Sequence, residues 1–562
     1  MLRLRRSIRN SRPEPEGAAS HALKDYLFKT SDIISSIMTK YIFVTGGVIS
    51  GLGKGVTSAS VGAILQMLGY NKITIKKLDP YLNVDPGTMN PVEHGEVFVT
   101  RDGRETDLDL GYYERFLDTS TTEQNSTSYG KLFQKLLDKE RNGDYLGETV
   151  QLIPHLTDMI KGFICCNSDK YDIIICEIGG SVGDIEAMAF YEAIRQLQND
   201  LGKENILFIH LTYLVYYQIT QELKTKPTQN AIRELQQVGI TPDILICRTE
   251  HSISDKIKSK LSLHTNLPTS HIIEAMNMES IYQVPLALIE QNVHFILSKR
   301  LNLQKSLDTR KWDTLENKIG SLRRTVKIGI LGKYTSLNDS YKSLLESLFH
   351  AGLHQECNIE IKWLNAREDD CLASLKEVQG VIIPGGFGDT GIETMIECIR
   401  ELRESKIPTL GICLGMQLQT IEFCRNVLEM TRAGSSEFEN CSPNVISKMK
   451  EWSSESYGGT MRLGSAKIRL NENSKVREIY QQEYISERHR HRYDVNNIYS
   501  LKLVSKGLNI TGHCIEHKLI EIIELKEQDH PWYIGVQFHP EYESSPFNPH
   551  PLFVSYIQEC CN

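Results

Sequence analysis

Gly46–Ser60 reads GGVISGLGKGVTSAS. A short apolar run, Tyr41–Thr45, leads into it, and Val56–Leu68 leaves it with apolar residues at helical spacing. Strand, glycine-rich turn and helix in that order make a phosphate-binding loop. Glycines let backbone N–H groups approach phosphate oxygens, and the helix N-terminus adds a partial positive charge. Lys54 is placed to reach the outer phosphates. The spacing departs from the usual Walker pattern, because residue 48 is Val and Gly55 stands where Ser or Thr meets magnesium. The competing reading is a plain glycine-rich turn.

Working outward, apolar runs recur at Ile73–Ile75, Ile173–Cys176, Ile206–Leu211 and Ile244–Cys247, with helix-like segments between them. That alternation predicts a parallel sheet covered by helices on both faces. Leu301–Arg324 is polar, rich in Lys and Arg and without strand pattern, and reads as a helical linker. A second series begins at Val326 (VKIGILG) and continues at Val381 (VIIPGG), Thr409 (TLGIC) and Tyr533 (YIGVQFHP). The expectation is an α/β chain with two doubly wound parallel-sheet domains, over residues 38–300 and 325–562, joined by 301–324. Residues 1–37 stand apart: MLRLRRSIRNSR holds five arginines and no acid, followed by Pro-Glu-Pro-Glu. They read as a disordered extension, with an organelle-targeting peptide as the alternative.

The 562 residues leave room for two to four domains at about 100–200 residues each. With 40% apolar and 24% charged residues the composition is ordinary for a globular protein. A net charge of -8 argues against general nucleic-acid binding. No apolar stretch is long enough to span a bilayer; the richest, Ile206–Tyr217, contains His210 and Thr212. The thirteen cysteines contain no CxxC spacing, which argues against a disulfide scaffold or structural zinc site and fits a reducing, cytoplasmic setting.

A nucleotide at the loop needs carboxylates for its metal. Asp109 lies in the acidic TDLDLGYYERF, and Glu177 ends the run DIIICE, at the carboxyl end of a strand where ligands gather. Either acid can equally be a surface residue. KTKPTQN, Lys224–Asn230, is a surface turn unless the fold carries it to the first loop. In the second domain LGICLGMQ sets Cys413 between strand and helix, flanked by Gly411 and Gly415: a cysteine nucleophile elbow that exposes the sulfur. PGGFG, Pro384–Gly388, can supply N–H groups to an oxyanion. In QFHPE, His539 and Glu541 are two apart, which on an extended strand puts a base and its orienting acid on one face.

Together these stretches resemble the CTP synthase family, and the likeness runs from Met38 to about Tyr556. It rests on KYIFVTGGVISGLGKG, KLDPYLNVDPGTMNPVEHGEVFVT, TDLDLGYYERF, EIGGSVGDIE, KTKPTQN, PGGFG, GICLGMQ, GGTMRLG, ERHRHRYDVNN and QFHPE. The resemblance implies a P-loop-like amidoligase (synthase) domain and a class I glutamine amidotransferase domain. The first would use ATP and Mg2+ to phosphorylate O4 of UTP. The second would hydrolyse glutamine through Cys413, His539 and Glu541, and ammonia would cross an internal channel to give CTP. It implies that Gly51, Leu52, Gly53, Lys54, Gly55 and Val56 wrap ATP phosphates, with Lys77 on the transferring group and Asp109 and Glu177 on the metal. Ser50, Asp184, Ile185, Glu186, Lys224, Thr225, Lys226, Pro227, Thr228, Gln229 and Lys260 would form the UTP site and the overlapping CTP feedback site. Gly386, Leu414, Gly415, Met416, Gln417, Glu437 and Arg492 would bind glutamine. His94, in EHGEVF, would belong to the channel and its gating. The resemblance further implies GTP as allosteric activator, homotetramers and in some members filaments. Two departures stand out: Trp452–Gly458 is about ten residues short against bacterial members, and Asn277 replaces an acid beside the adenine. The main rival is another ATP-dependent amidotransferase, such as those that amidate cobyrinic acid, and KLDPYLNVDPGTM and KTKPTQN argue against it.

Overall fold

The computed structural model describes residues 39–335, 337–367, 371–438, 441–449 and 460–562. The expectations for residues 1–37 and for the shortened loop at Trp452–Gly458 lie outside the described residues.

The first sheet has seven parallel strands: β1 (Lys40–Gly46), β2 (Ile73–Asp79), β3 (Ser126–Ser128), β4 (Ile173–Ile178), β5 (Ile206–Tyr213), β6 (Ile244–Thr249) and β7 (Ile272–Met276). Their spatial order is β7-β6-β5-β1-β4-β2-β3. Every residue of β2 and β4 is buried. That is why these strands read as continuous apolar runs: helices cover both faces. Most of the polar exceptions are partnered. Lys76 is buried and its ammonium donates to the carbonyls of Phe163, Ile164 and Cys166 at 2.8–3.0 Å, closing the end of the helix Thr157–Cys165. The phosphate-loop strand β1 lies at the centre of the sheet, between β5 and β4.

Residues 301–324 contain the helix Arg310–Ser321, and its Trp312 and Leu315 are buried in the core of the first domain. The connection is thus held against that domain over much of its length. Among the described residues no helix is long and apolar enough to cross a membrane.

The second sheet has nine strands: β8 (Arg324–Gly332), β9 (Cys357–Asn365), β10 (Gly380–Ile383), β11 (Thr409–Ile412), β12 (Arg462–Leu470), β13 (Tyr484–His491), β14 (Asn509–Cys514), β15 (Ile520–Glu524) and β16 (Tyr533–Val536), in the order β9-β8-β10-β11-β16-β15-β14-β12-β13. The five strands from β9 to β16 are parallel, as expected of a doubly wound α/β domain. The other four extend the sheet in antiparallel fashion. These later strands lack the apolar runs that mark the parallel half; β13, YISERHRH, is mostly polar although most of it is buried.

The antiparallel end reaches the first domain. Arg488 on β13 is fully buried and ties both Glu114 oxygens, at 3.1 and 2.8 Å, the Val99 carbonyl at 3.0 Å and Glu543 at 2.8 Å. Arg490 donates to Glu105 at 2.9 Å. Both contacts grip the hairpin formed by Val97–Val99 and Glu105–Asp107, whose turn also accepts from the Ser465 amide through the Arg101 carbonyl. A fully satisfied buried guanidinium specifies one docking geometry, because any other leaves a charge unpaired.

Candidate active sites

The cleft at the carboxyl ends of β1, β2 and β4 is lined by Ser50–Val56, Lys77, Asp79, Asp107, Asp109, Glu177, Asp184 and Glu186, with His94 at its rim. The loop leaves β1 at Gly46, and the helix Lys54–Met67 begins at Lys54, preceded by Gly53 at φ 85°. Lys54 folds over the loop and donates to the Gly180 carbonyl at 2.6 Å. Burial pushes its pKa down, with the neighbouring Lys77 adding to that and Glu177 opposing it. The departure at residue 55 has a steric reason. A Cβ on Gly55 would sit 2.0 Å from Asp109 Oδ1, so a carboxylate occupies the space that a Ser or Thr side chain would need.

Lys77, at the end of β2, is the hub. Its ammonium pairs with Asp109, with Glu177 at 2.9 Å and with Asp79 at 3.5 Å. Burial alone would disfavour the charge, but the Asp109 and Glu177 carboxylates override it, and its pKa stands well above the ordinary lysine value. Glu177 is further held by the Tyr113 hydroxyl. Asp79 and Asp107 are both pushed up by burial, and Asp79 Oδ2 has no hydrogen-bond partner. The cleft thus concentrates four carboxylates around one lysine.

The second pocket lies at the end of β11. Cys413 has φ 52° and ψ −101°, a strained conformation for a residue with a side chain. The strain turns the chain from β11 into the helix Leu414–Asn426. Gly415 is required there, since a Cβ would lie 2.1 Å from the Ile383 carbonyl. The sequence suggests an exposed sulfur, but Cys413 is only 4% exposed and lines a pocket with Gly385, Gly386, Phe387, Tyr334, His539 and Glu541. The first domain walls the same pocket with Pro91, Glu96 and Val97.

His539 and Glu541 are brought together, but not by an extended strand. β16 ends at Val536, and His539 precedes the turn Pro540–Glu543, which folds Glu541 back so that its Oε1 lies 2.7 Å from His539 Nδ1. Burial opposes protonation of the ring, yet the Glu541 carboxylate and the Cys413 sulfur push it up to about 10. An imidazolium beside a thiol favours the thiolate.

The other expected residues are spread between the thiol pocket, the nucleotide cleft and the surface. Leu414 and Met416 turn their side chains into the core, so only their backbone can face the pocket. Gln417 donates to the Tyr493 carbonyl at 2.9 Å, and Glu437 accepts the Gly388 amide at 2.8 Å, pinning the glycine turn. Burial pushes the Glu437 and Glu105 carboxyls up, and Arg492 lies close enough to oppose the rise in both. Ile185 is 85% exposed beside Asp184, which accepts the Ser181 amide at 2.6 Å. The segment Lys224–Gln229 and Lys260 do not line the nucleotide cleft of this chain. The helix Lys226–Gln237 does back the phosphate loop, with Ala231 against Gly47, but Lys224 pairs with Glu222 and Lys226 and Lys260 point to solvent. Thr228 and Gln229 are used internally, bonding the Tyr213 carbonyl and Thr225. Pro227 occupies the first turn of that helix. Asn277 accepts from Arg248 at 2.8 Å. Sequence reasoning missed Lys333, which donates to the Phe387 and Gly388 carbonyls and whose pKa burial lowers to about 8, and it missed Gln537, Glu96 and Tyr542. Gln537 lies within QFHPE, which was its only signal.

An elbow thiol with a His–Glu couple, docked on a phosphate-loop domain, defines a glutamine amidotransferase fused to a nucleotide-using partner. Residues 40–303 match the family model described as CTP synthase N-terminus, and residues 336–559 match glutamine amidotransferase class-I. A CTP synthase of Aquifex aeolicus (strain VF5) is 48% identical over 526 residues, spanning 93% of this chain and 98% of the relative. One from Hydrogenobaculum sp. (strain Y04AAS1) is 51% identical over 526 residues, spanning 92% and 97%. The solved glutaminase domain of Trypanosoma brucei CTPS with bound acivicin is 30% identical, covering 42% of this chain and 94% of that one at a TM-score of 0.40. The chain belongs to the CTP synthase family: it is a ligase that converts UTP to CTP at the expense of ATP, with glutamine as nitrogen donor, in pyrimidine biosynthesis.

Proposed function

We propose that the two halves of this reaction are divided between the two pockets, with glutamine hydrolysed at Cys413 and UTP aminated in the cleft around Lys54 and Lys77. The observation that carries this reading is the shared wall. Pro91, Glu96 and Val97 of the first domain line the thiol pocket, while Asp339 of the second lines the nucleotide cleft. The Glu96 amide donates to the Asp339 carbonyl at 2.8 Å, and Ser340 to the Pro91 carbonyl at 3.0 Å, so the pockets meet across one short seam. Ammonia crosses this seam, past His94. A short protein-lined route favours neutral ammonia over ammonium, since desolvating a charge is costly.

In the cleft, the amides of Gly51–Val56 cradle ATP phosphates, Lys54 and Lys77 neutralise the transferring phosphoryl group, and UTP O4 is phosphorylated to make a leaving group. Ser50, Asp184, Ile185 and Glu186 lie on the UTP side. The carboxylates fit Mg2+. Among the described residues no cluster of three or more His, Cys, Asp or Glu is arranged to hold a metal. Magnesium, however, takes one or two carboxylates plus phosphate oxygens and water. Asp109 and Glu177 supply such a pair, with the unpartnered Asp79 oxygen beside them. Bound there, the ion would offset triphosphate charge. In the second pocket His539 takes the thiol proton, Glu541 orients the ring, Cys413 attacks the amide carbon, and the amides near Gly386 and Leu414 receive the oxyanion. Gly415, Met416, Gln417, Glu437 and Arg492 shape the glutamine subsite.

Lys224, Thr225, Lys226, Pro227, Thr228, Gln229 and Lys260 complete a UTP site, and an overlapping CTP feedback site, only in a homotetramer, because they lie outside this chain's own cleft. GTP activation is proposed from family membership alone. The test measures CTP formed from UTP and ATP with glutamine, and again with an ammonium salt. Both should support synthesis with one ADP released per CTP; amination supported by neither, or ATP consumption independent of UTP, would refute the reading.

A further inference from the structure

We infer that Gln537 is a catalytic residue of the glutamine half-reaction, donating a hydrogen bond to the Cys413 sulfur and stabilising the thiolate. The inference rests on Cys413 being the nucleophile. Gln537 follows β16 directly and is fully buried, and its Nε2 lies 3.6 Å from Cys413 Sγ. A side-chain amide can present either its donor or its acceptor end, and here the network decides. Gln417 Nε2 donates to the Tyr493 carbonyl at 2.9 Å, which can only accept. The same nitrogen donates to Gln537 Oε1 at 3.2 Å. With its oxygen turned to Gln417, Gln537 must face the sulfur with its NH2 group. Flipping either amide would set donor against donor or carbonyl against carbonyl between two buried side chains.

The sulfur's other neighbours sharpen the role. The protonated thiol donates to the Arg490 carbonyl at 3.7 Å, a contact that a thiolate loses and that becomes repulsive. Gln537 is therefore the neutral donor that compensates when the proton passes to His539. A donor aimed at an anion favours the charged form, and a hydrogen bond to a charged group alters its equilibrium by about 10–100-fold. Gln417, in turn, orients Gln537.

Three proteins decide the matter: wild type, Gln537→Met, which keeps volume but removes the donor, and Gln537→Glu, which replaces the donor with a carboxylate. The first readout is the pH midpoint of iodoacetamide alkylation at Cys413, located by peptide mapping. It should rise by about one pH unit or more in Gln537→Met and further in Gln537→Glu. The second is glutamine hydrolysis, where kcat should fall about tenfold or more while KM changes little. Ammonia-dependent CTP synthesis reports folding. If Gln537→Glu loses it, the decision rests on Gln537→Met. A wild-type midpoint and kcat in folded Gln537→Met overturns the inference. Alkylation of Cys413 that leaves glutaminase activity intact would instead overturn the nucleophile assignment beneath it.

Discussion

The nucleotide cleft and the thiol pocket differ in what they leave unfinished. The cleft is charged and open: the loop residues Ser50 and Gly51 are exposed, Asp79 has an unpartnered oxygen, and four carboxylates crowd Lys77. On the proposed reading, phosphates and a cation complete such a site. The thiol pocket is nearly finished as it stands. Cys413, His539 and Glu541 are each under 9% exposed, the His–Glu bond is formed, and the neighbouring domain closes the wall. The contrast follows from the chemistry. On the proposed reading, a polyanionic substrate brings its own charge and enters from solvent, whereas ammonia released beside Cys413 must reach the cleft before bulk water protonates it.

The strongest way to break this comparison is to discharge the open site. Glu177→Gln or Asp109→Asn should reduce CTP synthesis by on the order of 10³-fold or more with either nitrogen source, because several kcal/mol of charge stabilisation disappears. Glutamine hydrolysis should persist at its basal rate. Near-normal synthesis by both variants would remove these residues from the metal site.

A smaller effect is expected at the seam. Arg488→Ala leaves the buried Glu114 without its guanidinium partner, at a cost of about 3–5 kcal/mol, and also frees the half-buried Glu543. Differential scanning calorimetry should show a lower Tm, and glutamine-dependent synthesis should fall more than ammonia-dependent synthesis, because the hairpin walls the thiol pocket. Equal losses would mean that Arg488 supports the fold without serving the seam.

The smallest effect concerns Glu96, which accepts the Ser343 amide at 2.9 Å at the start of the helix Lys342–His354. Burial pushes its carboxyl up to about 7, with Ser343 opposing and Glu541 adding to the rise. Because the folded value lies above the ordinary value of 4.5, the folded state holds this proton more tightly. Its contribution to stability is greatest below pH 4.5 and declines until the pH has passed about 7. Glu96→Gln should flatten the fall in Tm across that window, and an unchanged slope would contradict the assigned cause.

How much of this was legible varies with how local the signal is. The strand–loop–helix at Gly46–Ser60 and the elbow at Cys413 could be read directly, because glycines, strand and helix are contiguous there. The two α/β sheets followed from apolar runs, and the antiparallel extension escaped because strands such as β13, YISERHRH, are mostly polar and carry no such run. His539 and Glu541 could be paired from spacing, although a turn rather than a strand joins them. Glu96, Arg488, Tyr542 and Gln537 were invisible as site residues, since each depends on a partner far away in the chain. Tyr542 stacks on the His539 ring with centroids 5.3 Å apart and donates to the Val97 carbonyl at 3.0 Å, 445 residues distant in the chain. KTKPTQN marks a family stretch, yet its residues do not line this chain's cleft, and nothing in their types alone says what they serve.

The central claim is that two sites share one product, and Cys413→Ala tests it most directly. The variant removes one sulfur and leaves the elbow backbone intact, and no neighbour can replace the nucleophile. CTP synthesis should be measured side by side with glutamine and with ammonium salt. The account predicts loss of the glutamine-dependent rate and retention of the ammonia-dependent one. Equal loss of both in a folded protein, or survival of the glutamine-dependent rate, would contradict it.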